Sequence, residues 1–350
     1  MSKVAIIVPI YNSSNFLEMC LESIKNQTLN DIEVILINDG STDNSVEICE
    51  RFCKDDKRFA LINKSNTGVS DSRNIGIKSA KSEYIMFVDA DDWLEKQAVE
   101  IAYTNIKKNE ADICQFNYFF NYENQQLRRE KFSQDIIIKG AEKKKDIQCN
   151  VLAYRYAKNN SNIDYLGSIR GCWNKIFSKE FLEINNLFFD TQLKIQEDTY
   201  FMINALEKVN KIIFINEYLY HYRQNMISAT KGYDKNRLSK NITIIEKFNK
   251  FLEKDKDIDE CIYLLYFEIL IDYISKDVFH INKEMHYNER KSELNTIINK
   301  YYVDILPNIK FKYLTKKQKA ILFLLKKKVY VCIFLANILK NKKIKNGEIK

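Results

Sequence analysis

Glycine and proline are scarce, at 8 and 2 residues in a chain of 350. That composition leaves no flexible linker and no collagen-like stretch. There are only 3 histidines, and the 8 cysteines include no Cys-x-x-Cys pair. A structural zinc site is therefore not expected, and reduced thiols in a cytoplasmic protein are the simplest account. Cys49 and Cys53 stand one helical turn apart beside Phe52, which suits apolar packing. No Gly-x-Gly-x-x-Gly follows the first strand-like run, and no Gly-x-x-x-x-Gly-Lys-Ser/Thr occurs. Dinucleotide redox chemistry and P-loop hydrolysis thereby lose their usual signatures. No recognised RNA or DNA module is present, so nucleic acid is not an expected partner. Met-Ser-Lys runs directly into an apolar segment, and no signal peptide is expected.

The length suggests about two domains. A hydrophobic content of 45% and a charged content of 29% are ordinary for a globular chain. Residues 3–122 alternate between strand and helix patterns. Val4–Val8, Ile32–Ile37, Phe59–Ile62 and Tyr84–Val88 read as strands, and a helix is predicted over Ser70–Ala80. Such alternation with short connections predicts an α/β fold with a mostly parallel sheet. Residues 123–165 are polar and lysine-rich, give no clear pattern, and are expected to include mobile loops. After about residue 232 the pattern is helical throughout, with Lys240–Leu252 and Cys261–Val278 at three- and four-residue apolar spacing. A boundary is expected near 230.

Charge is unevenly spread. Residues 310–350 hold 13 Lys against the single acid Glu348, a net of +12, so the remainder carries +8 − 12 = −4. Within this tail Ala320–Leu339 is apolar but interrupted by Lys326, Lys327 and Lys328. A spanning helix needs about 20 predominantly apolar residues, and central lysines are costly there. Contact with a membrane surface through 310–350 is expected instead. The competing possibility is a helix packed on the catalytic domain with a solvated basic edge.

The most informative stretch is Tyr84-Ile85-Met86-Phe87-Val88-Asp89-Ala90-Asp91-Asp92-Trp93. A buried strand runs into three carboxylates, at the rim where open α/β sheets bind ligands. Such a cluster repels itself unless a cation neutralises it, and hard divalent cations take oxygen ligands and bridge carboxylates to phosphates. The bland alternative is a solvated acidic turn capping a helix that begins near Trp93. Asp39, at the end of the second strand, has two readings: acceptor for a nucleobase N–H, or a turn residue before a helix. Glu197 and Asp198 open a helical pattern, as a catalytic pair or as acids favoured by the helix dipole. Tyr218, Tyr220 and Tyr222 fit one face of a strand and His221 the other. Arg223 beyond them could meet a diphosphate and help close the polar loop Gln224–Ser228 over it.

Taken in order, the motifs resemble those of family 2 glycosyltransferases of the GT-A fold. They are Val8-Pro9-Ile10-Tyr11-Asn12, Gln27-Thr28-Leu29, Asn38-Asp39-Gly40-Ser41-Thr42-Asp43, Asn66-Thr67-Gly68-Val69-Ser70, Arg73-Asn74-Ile75-Gly76 and Phe87-Val88-Asp89-Ala90-Asp91-Asp92-Trp93. Weaker matches are Trp173-Asn174-Lys175, Glu197-Asp198 and Tyr220-His221-Tyr222-Arg223. The resemblance covers roughly 1–230. It implies a Rossmann-like mixed sheet, divided into a nucleotide-binding half (1–122) and an acceptor-side half (123–230), with a helical extension over 231–350.

The resemblance also implies roles. Pro9, Tyr11 and Asp39 would hold the base, usually uracil, with Asn66 and Arg73 in the nucleoside pocket. Asp89 would lie near ribose and metal, and Asp91 would bind the Mn²⁺ or Mg²⁺ that bridges the diphosphate. Asp198 would be the base, with Glu197 orienting it or contacting the acceptor, implying in-line displacement with inversion. His221 and Arg223 would face the diphosphate, and Trp173 and Lys175 the acceptor side. Asp71 stands where many relatives have a small residue; it would cap the helix, pair with Arg73 or alter the base pocket. The expected reaction moves one hexose or N-acetylhexosamine from a nucleotide-diphosphate sugar, a UDP-sugar by this resemblance, to a glycan or lipid-linked oligosaccharide. The expected place is the inner face of the cell membrane, as a peripheral protein. Two other readings are a sugar nucleotidyltransferase and a membrane-associated assembly protein that binds nucleotide without turnover.

Overall fold

The structure is a computed structural model and describes residues 2–129, 134–153, 169–224, 236–252, 255–279 and 285–336. The chain forms two compact units, one of Met1–Val151 with Tyr165–Ile227, the other of Leu152–Asp164 with Ser228–Lys350.

The first unit is built on a ten-stranded sheet of order β3-β2-β1-β4-β9-β6-β10-β5. Its strands are β1 (Val4–Ile10), β2 (Ile32–Asp39), β3 (Phe59–Lys64), β4 (Tyr84–Phe87), β5 (Trp93–Leu94), β6 (Ile113–Tyr122), β7 (Gln125–Arg129), β8 (Ile136–Lys139), β9 (Lys175–Ser178) and β10 (Lys211–Arg223). The first four run parallel, with Ile10 opposite Asn38, Asp39 opposite Lys64, and Ile7 opposite Phe87. β9 is antiparallel to both β4 and β6. Continuous apolar runs form β1, β2 and β4 because central parallel strands are covered on both faces; Val4–Val8 are wholly buried.

Helices α1 (Ser14–Lys25), α2 (Ser45–Asp55), α3 (Val69–Ser79) and α4 (Ala98–Asn109) pack on this sheet. Asp43 ties two of them together: its carboxylate accepts from Ser14 N and Ser45 N at 2.9 and 3.1 Å. Burial opposes ionisation there, but the hydrogen bonds from Ser45 and Ser14 win and bring Asp43 down to about 2. α3 lies close on β1 because residue 76 is glycine. A Cβ there would fall 2.3 Å from Ile7 Cγ2.

Part of the polar stretch after residue 122, which gave no clear pattern, forms β7, β8 and a helix, Ala141–Leu152. Among the described residues both strands pair on one side only, β7 with β6 and β8 with β10; β7 is polar, as edge strands are kept against mispairing, whereas β8 reads Ile136-Ile137-Ile138-Lys139 with half-buried and exposed residues alternating. Residues 130–133 and 154–168 lie outside the described residues. The helix expected near Trp93 starts at Ala98, because Trp93 and Leu94 pair with His221 and Tyr220 of β10. Tyr218 does not share a face with Tyr220 and Tyr222. The register shifts on both sides of Tyr218, so Tyr218 joins His221 against Phe119 while Tyr220 and Tyr222 meet Trp173.

The second unit is helical, with Arg237–Phe251, Lys256–Tyr273, Tyr287–Ile297 and Lys316–Lys326 as its main helices. Phe248, Phe267, Leu270, Leu294 and Tyr302 are wholly buried in it.

Gly76→Ala should destabilise the chain by roughly 1–3 kcal/mol through overpacking on Ile7. An unchanged urea midpoint would show that α3 and β1 can part without cost.

Candidate active site

The parallel strands deliver their carboxyl ends to one edge, where such sheets bind ligands. Pro9 is half-buried at the end of β1, Tyr11 is exposed, and Asp39 is buried at the end of β2. Asn12 takes a left-handed φ of 48°. Its N–H donates to Ser41 Oγ and its Oδ1 accepts from Thr42 N, joining the two strand ends. Gly40, with φ 71°, lets the Asn66 backbone approach; a Cβ would meet Asn66 N at 2.9 Å.

Asp39 is already engaged. Oδ1 accepts from Thr67 N at 2.8 Å and from Lys64 Nζ, and Oδ2 accepts from Gly68 N at 2.9 Å. Lys64 Nζ also pairs with Asp71 at 3.3 Å. Asp71 accepts from Thr67 Oγ1, and its carboxyl is lowered first by that bond and then by Lys64, against burial. Of the roles open to Asp71, pairing with Arg73 is not the one seen: its partner is Lys64. Lys64 was not anticipated; the only available signal was its place two residues before Asn66.

The acidic turn is tied to β10. Asp92 is fully buried, and its Oδ2 and Oδ1 accept from Tyr220 Oη at 2.7 Å and Arg223 N at 2.8 Å. Tyr220 Oη also accepts from Asp89 N at 3.3 Å. Burial, with Asp89 and Asp91 close by, pushes the Asp92 carboxyl well above the usual range. The Arg223 guanidinium donates from Nε to the Asp91 carbonyl at 2.8 Å and lies over the Trp93 ring at 4.6 Å. Of the three acids in the turn, Asp92 is therefore a structural clamp, a role its position before Trp93 only hinted at.

Arg73 joins this turn to the second acidic pair. Its side chain is 6% exposed; Nη2 donates to Asp89 Oδ1 at 3.0 Å and Nη1 to Glu197 Oε1 at 3.1 Å. The guanidinium lies 5.2 Å from the Phe189 ring centroid. Phe189 stacks on Phe201 at 4.0 Å, and both meet Phe87 of β4 edge-on. That cluster holds the helix Glu197–Lys208 against β4 and sets Glu197 and Asp198 at its first turn. Asp198 Oδ1 accepts from Thr199 N at 2.7 Å. Burial, then Glu197, raise the Asp198 carboxyl to about 6, with Arg73 pulling the other way.

Trp173 is half-buried, stacked on Tyr222 at 5.1 Å and edge-on to Tyr118 at 4.8 Å. Lys175, expected to line the acceptor side, is fully buried. Its Nζ donates to Gly171 O at 2.6 Å and Asn174 Oδ1 at 2.9 Å, and burial brings its pKa down to about 7. His221 does not face the acidic turn either. It stacks between Trp93 and Phe119, with Nε2 2.9 Å from Glu95 Oε1. The loop Gln224–Ser228 lies outside the described residues from 225 onward.

Among the described residues no group of three or more His, Cys, Asp or Glu could by itself hold a metal ion. Asp89 and Asp91 offer hard oxygen donors on one turn. That fits a cation completed by substrate phosphates and water better than a protein-only cage.

The model of glycosyl transferase family 2 matches residues 5–183. A Bacillus subtilis protein that carries the name of a glycosyltransferase, EpsH, is 30% identical over 260 residues, covering 73% of this chain and 71% of EpsH. Glycosyltransferase GlyA of Streptococcus pneumoniae is 32% identical over 259 residues, 72% of this chain but 36% of GlyA. Among solved structures, TarS 1–349 of S. aureus in complex with UDP-GlcNAc superposes with a TM-score of 0.66 at 19% identity, covering 99% of this chain and 92% of that one. The chain belongs to glycosyl transferase family 2. It is a glycosyltransferase on the GT-A scaffold.

Tyr220→Phe leaves Asp92 and Asp89 N each short of a partner and should cost roughly 1–3 kcal/mol. A double-mutant cycle with Asp92→Asn should give a coupling energy above about 0.5 kcal/mol. Additive effects would dissolve the proposed clamp.

Proposed function

We propose that this enzyme transfers one hexose or N-acetylhexosamine from a UDP-sugar to a glycan or lipid-linked acceptor, with a divalent metal and with inversion. The observation that carries the reading is the bridge from Asp89 through Arg73 to Glu197, beside Asp198. It joins a donor-side carboxylate to an acid pair in one continuous site.

The uridine moiety would lie on the edge formed by Pro9, Tyr11 and Asn66. Asp39 would meet the base N–H, since each carboxylate oxygen can accept more than one bond. The UDP-GlcNAc bound by TarS supports uridine, and the chain's own Lys64 and Asp71 would shape that pocket. A diphosphate cannot approach Asp89, Asp91 and Asp92 without a counter-charge. Asp91 and Asp89 would hold a Mn²⁺ or Mg²⁺, which when bound acts as a Lewis acid on the charge developing at the leaving phosphate. Arg223, fixed over Trp93, stands beside the same turn as a second cation.

Asp198 would take the proton from the acceptor hydroxyl as the hydroxyl oxygen bonds to the anomeric carbon. The bond from that carbon to the departing diphosphate breaks on the opposite side. Trp173 and Tyr222 would form an aromatic wall for the acceptor. An acceptor carried on lipid would place the reaction at the inner face of the cell membrane. No helix among the described residues is long and apolar enough to cross a membrane.

Two measurements test this. In a panel of nucleotide sugars with Mn²⁺, Mg²⁺ or EDTA, one UDP-sugar should release UDP, and release should vanish in EDTA and in Asp91→Ala. Calorimetry showing no metal-dependent binding of any nucleotide sugar would sink the reading. Separately, Asp198→Asn should lower turnover by about 10²–10⁴-fold with donor affinity retained. The wild-type rate should fall as pH drops through about 6, because Asp198 must be ionised to act and burial, then Glu197, raise its carboxyl to that value against Arg73. A rate flat across that range would remove Asp198 as the base.

A further inference from the structure

The second unit carries a surface that the transfer reaction does not use. Its helix Lys316–Lys326 starts with a capping box, Thr315 Oγ1 accepting from Gln318 N while Gln318 accepts from Thr315 N. Leu322 and Leu325 are buried inward. Three- and four-residue spacing then puts Lys316, Lys319, Phe323, Lys326 and Lys327 on the outward stripe, and all five are exposed. Phe323 is 55% exposed, on the same stripe as Lys316, Lys319, Lys326 and Lys327.

The helix stops at Lys327, and Lys328 takes a left-handed φ of 56°. Beyond it the chain stays anchored on one side only. Tyr330 and Ile333 are buried, Tyr330 Oη donates to Asn295 Oδ1 at 2.9 Å, and Phe334 meets Phe279 and Tyr287 at 5.4 and 5.2 Å. Val329, Val331 and Leu335 face outward, the last at 53% exposure. No acid occurs between Asp304 and Glu348. Lys310 and Lys312 reach Glu260, which leaves Lys316, Lys317, Lys319, Lys326, Lys327 and Lys328 as the basic face.

Single exposed apolar residues need no explanation. Several of them set among like charges do, because both the apolar exposure and the lysine repulsion are relieved by one kind of partner. We infer that the outward face of 316–336 docks in the plane of an anionic lipid surface. Phe323, Val329, Val331 and Leu335 enter the headgroup boundary and the lysines lie among the phosphates. A nucleic acid would satisfy the lysines but leave those apolar side chains in water. Spanning is ruled out for this segment, since its helix ends at Lys326 after 11 residues. No residue of the acidic site enters this inference, so it stands or falls apart from the donor chemistry.

The test is flotation of the full chain with phosphatidylcholine vesicles, with and without phosphatidylglycerol, over a salt series. Binding should require phosphatidylglycerol and weaken as salt rises. Phe323→Ser with Leu335→Ser should reduce it by about tenfold, and Lys316→Gln with Lys319→Gln, Lys326→Gln and Lys327→Gln should abolish it. Nucleoside diphosphate release in free solution should be unchanged in both variants, which also shows that they fold. Equal binding to neutral vesicles, or no binding to either, overturns the inference. So does full binding by the Phe323/Leu335 variant, or equal retention by duplex DNA, because the face would then be a general polyanion site.

Discussion

Arg73 is the constraint on which the rest of the site depends. A guanidinium with 6% of its side chain exposed must be paired, since burying a lone charge is prohibitive. Its partners, Asp89 and Glu197, stand 16 and 124 residues away in sequence. One follows β4 and the other opens the helix Glu197–Lys208. Their separation is set by the span of one planar fork, and Phe189 and Phe201 beneath it fix the height of that helix on the sheet. Buried ion networks are weak contributors to net stability, because desolvation offsets much of the attraction. Removing one member is a different matter, as it leaves the other charges buried and unpaired. The triad therefore dictates where the two acidic segments lie more than how stable the unit is.

A second set of bonds does the same for the acidic turn. Asp92 is the most buried of the three acids and the one committed to the protein, through Tyr220 and Arg223. That commitment sets Asp92 apart from Asp89, which pairs with Arg73, and from Asp91, whose carbonyl accepts from Arg223. It also explains the chain's spacing of acids. The third carboxylate, which in sequence adds to an undifferentiated acidic cluster, serves as the anchor for the other two. Arg223 completes the arrangement from β10, held by its own backbone on Asp92 and by its side chain on the Asp91 carbonyl.

The parallel half was legible because central strands bury both faces and so read as unbroken apolar runs, and because its motifs follow in the family's order. The edge strands β7 and β8 were not legible, because β7 is polar but for Leu127 and β8 is only four residues long, Ile136–Lys139, too short for its alternation to stand out. Tyr218 was misplaced because an irregularity in β10 is invisible to a strict two-residue alternation. Lys175 was placed on a surface because lysine is almost never fully buried. Here a carbonyl and an amide oxygen accept its protons. For Arg73, sequence shows its neighbours in α3 but not its pairing with Glu197, an acid 124 positions on that the fold brings to it.

The same triad separates two adjacent acids that sequence cannot tell apart. Glu197 spends Oε1 on Arg73 and is held by a full positive charge. Asp198 has no such bond from the guanidinium. It accepts a backbone N–H from Thr199, and burial beside Glu197 lifts it to about 6. A general base works best when its pKa lies near the working pH, where it is both ionised and willing to hold a proton. Neighbouring acids whose surroundings differ in this way divide into different roles. Glu197 suits the structural one, as the anion that keeps Arg73 in place. Asp198 suits the chemical one, because the charge of Glu197 beside it makes proton uptake easier while Arg73 keeps that effect from going further. The fork that Arg73 extends sets where Glu197 and its neighbour Asp198 lie, while burial and the charge of Glu197 raise the Asp198 carboxyl against the pull of Arg73.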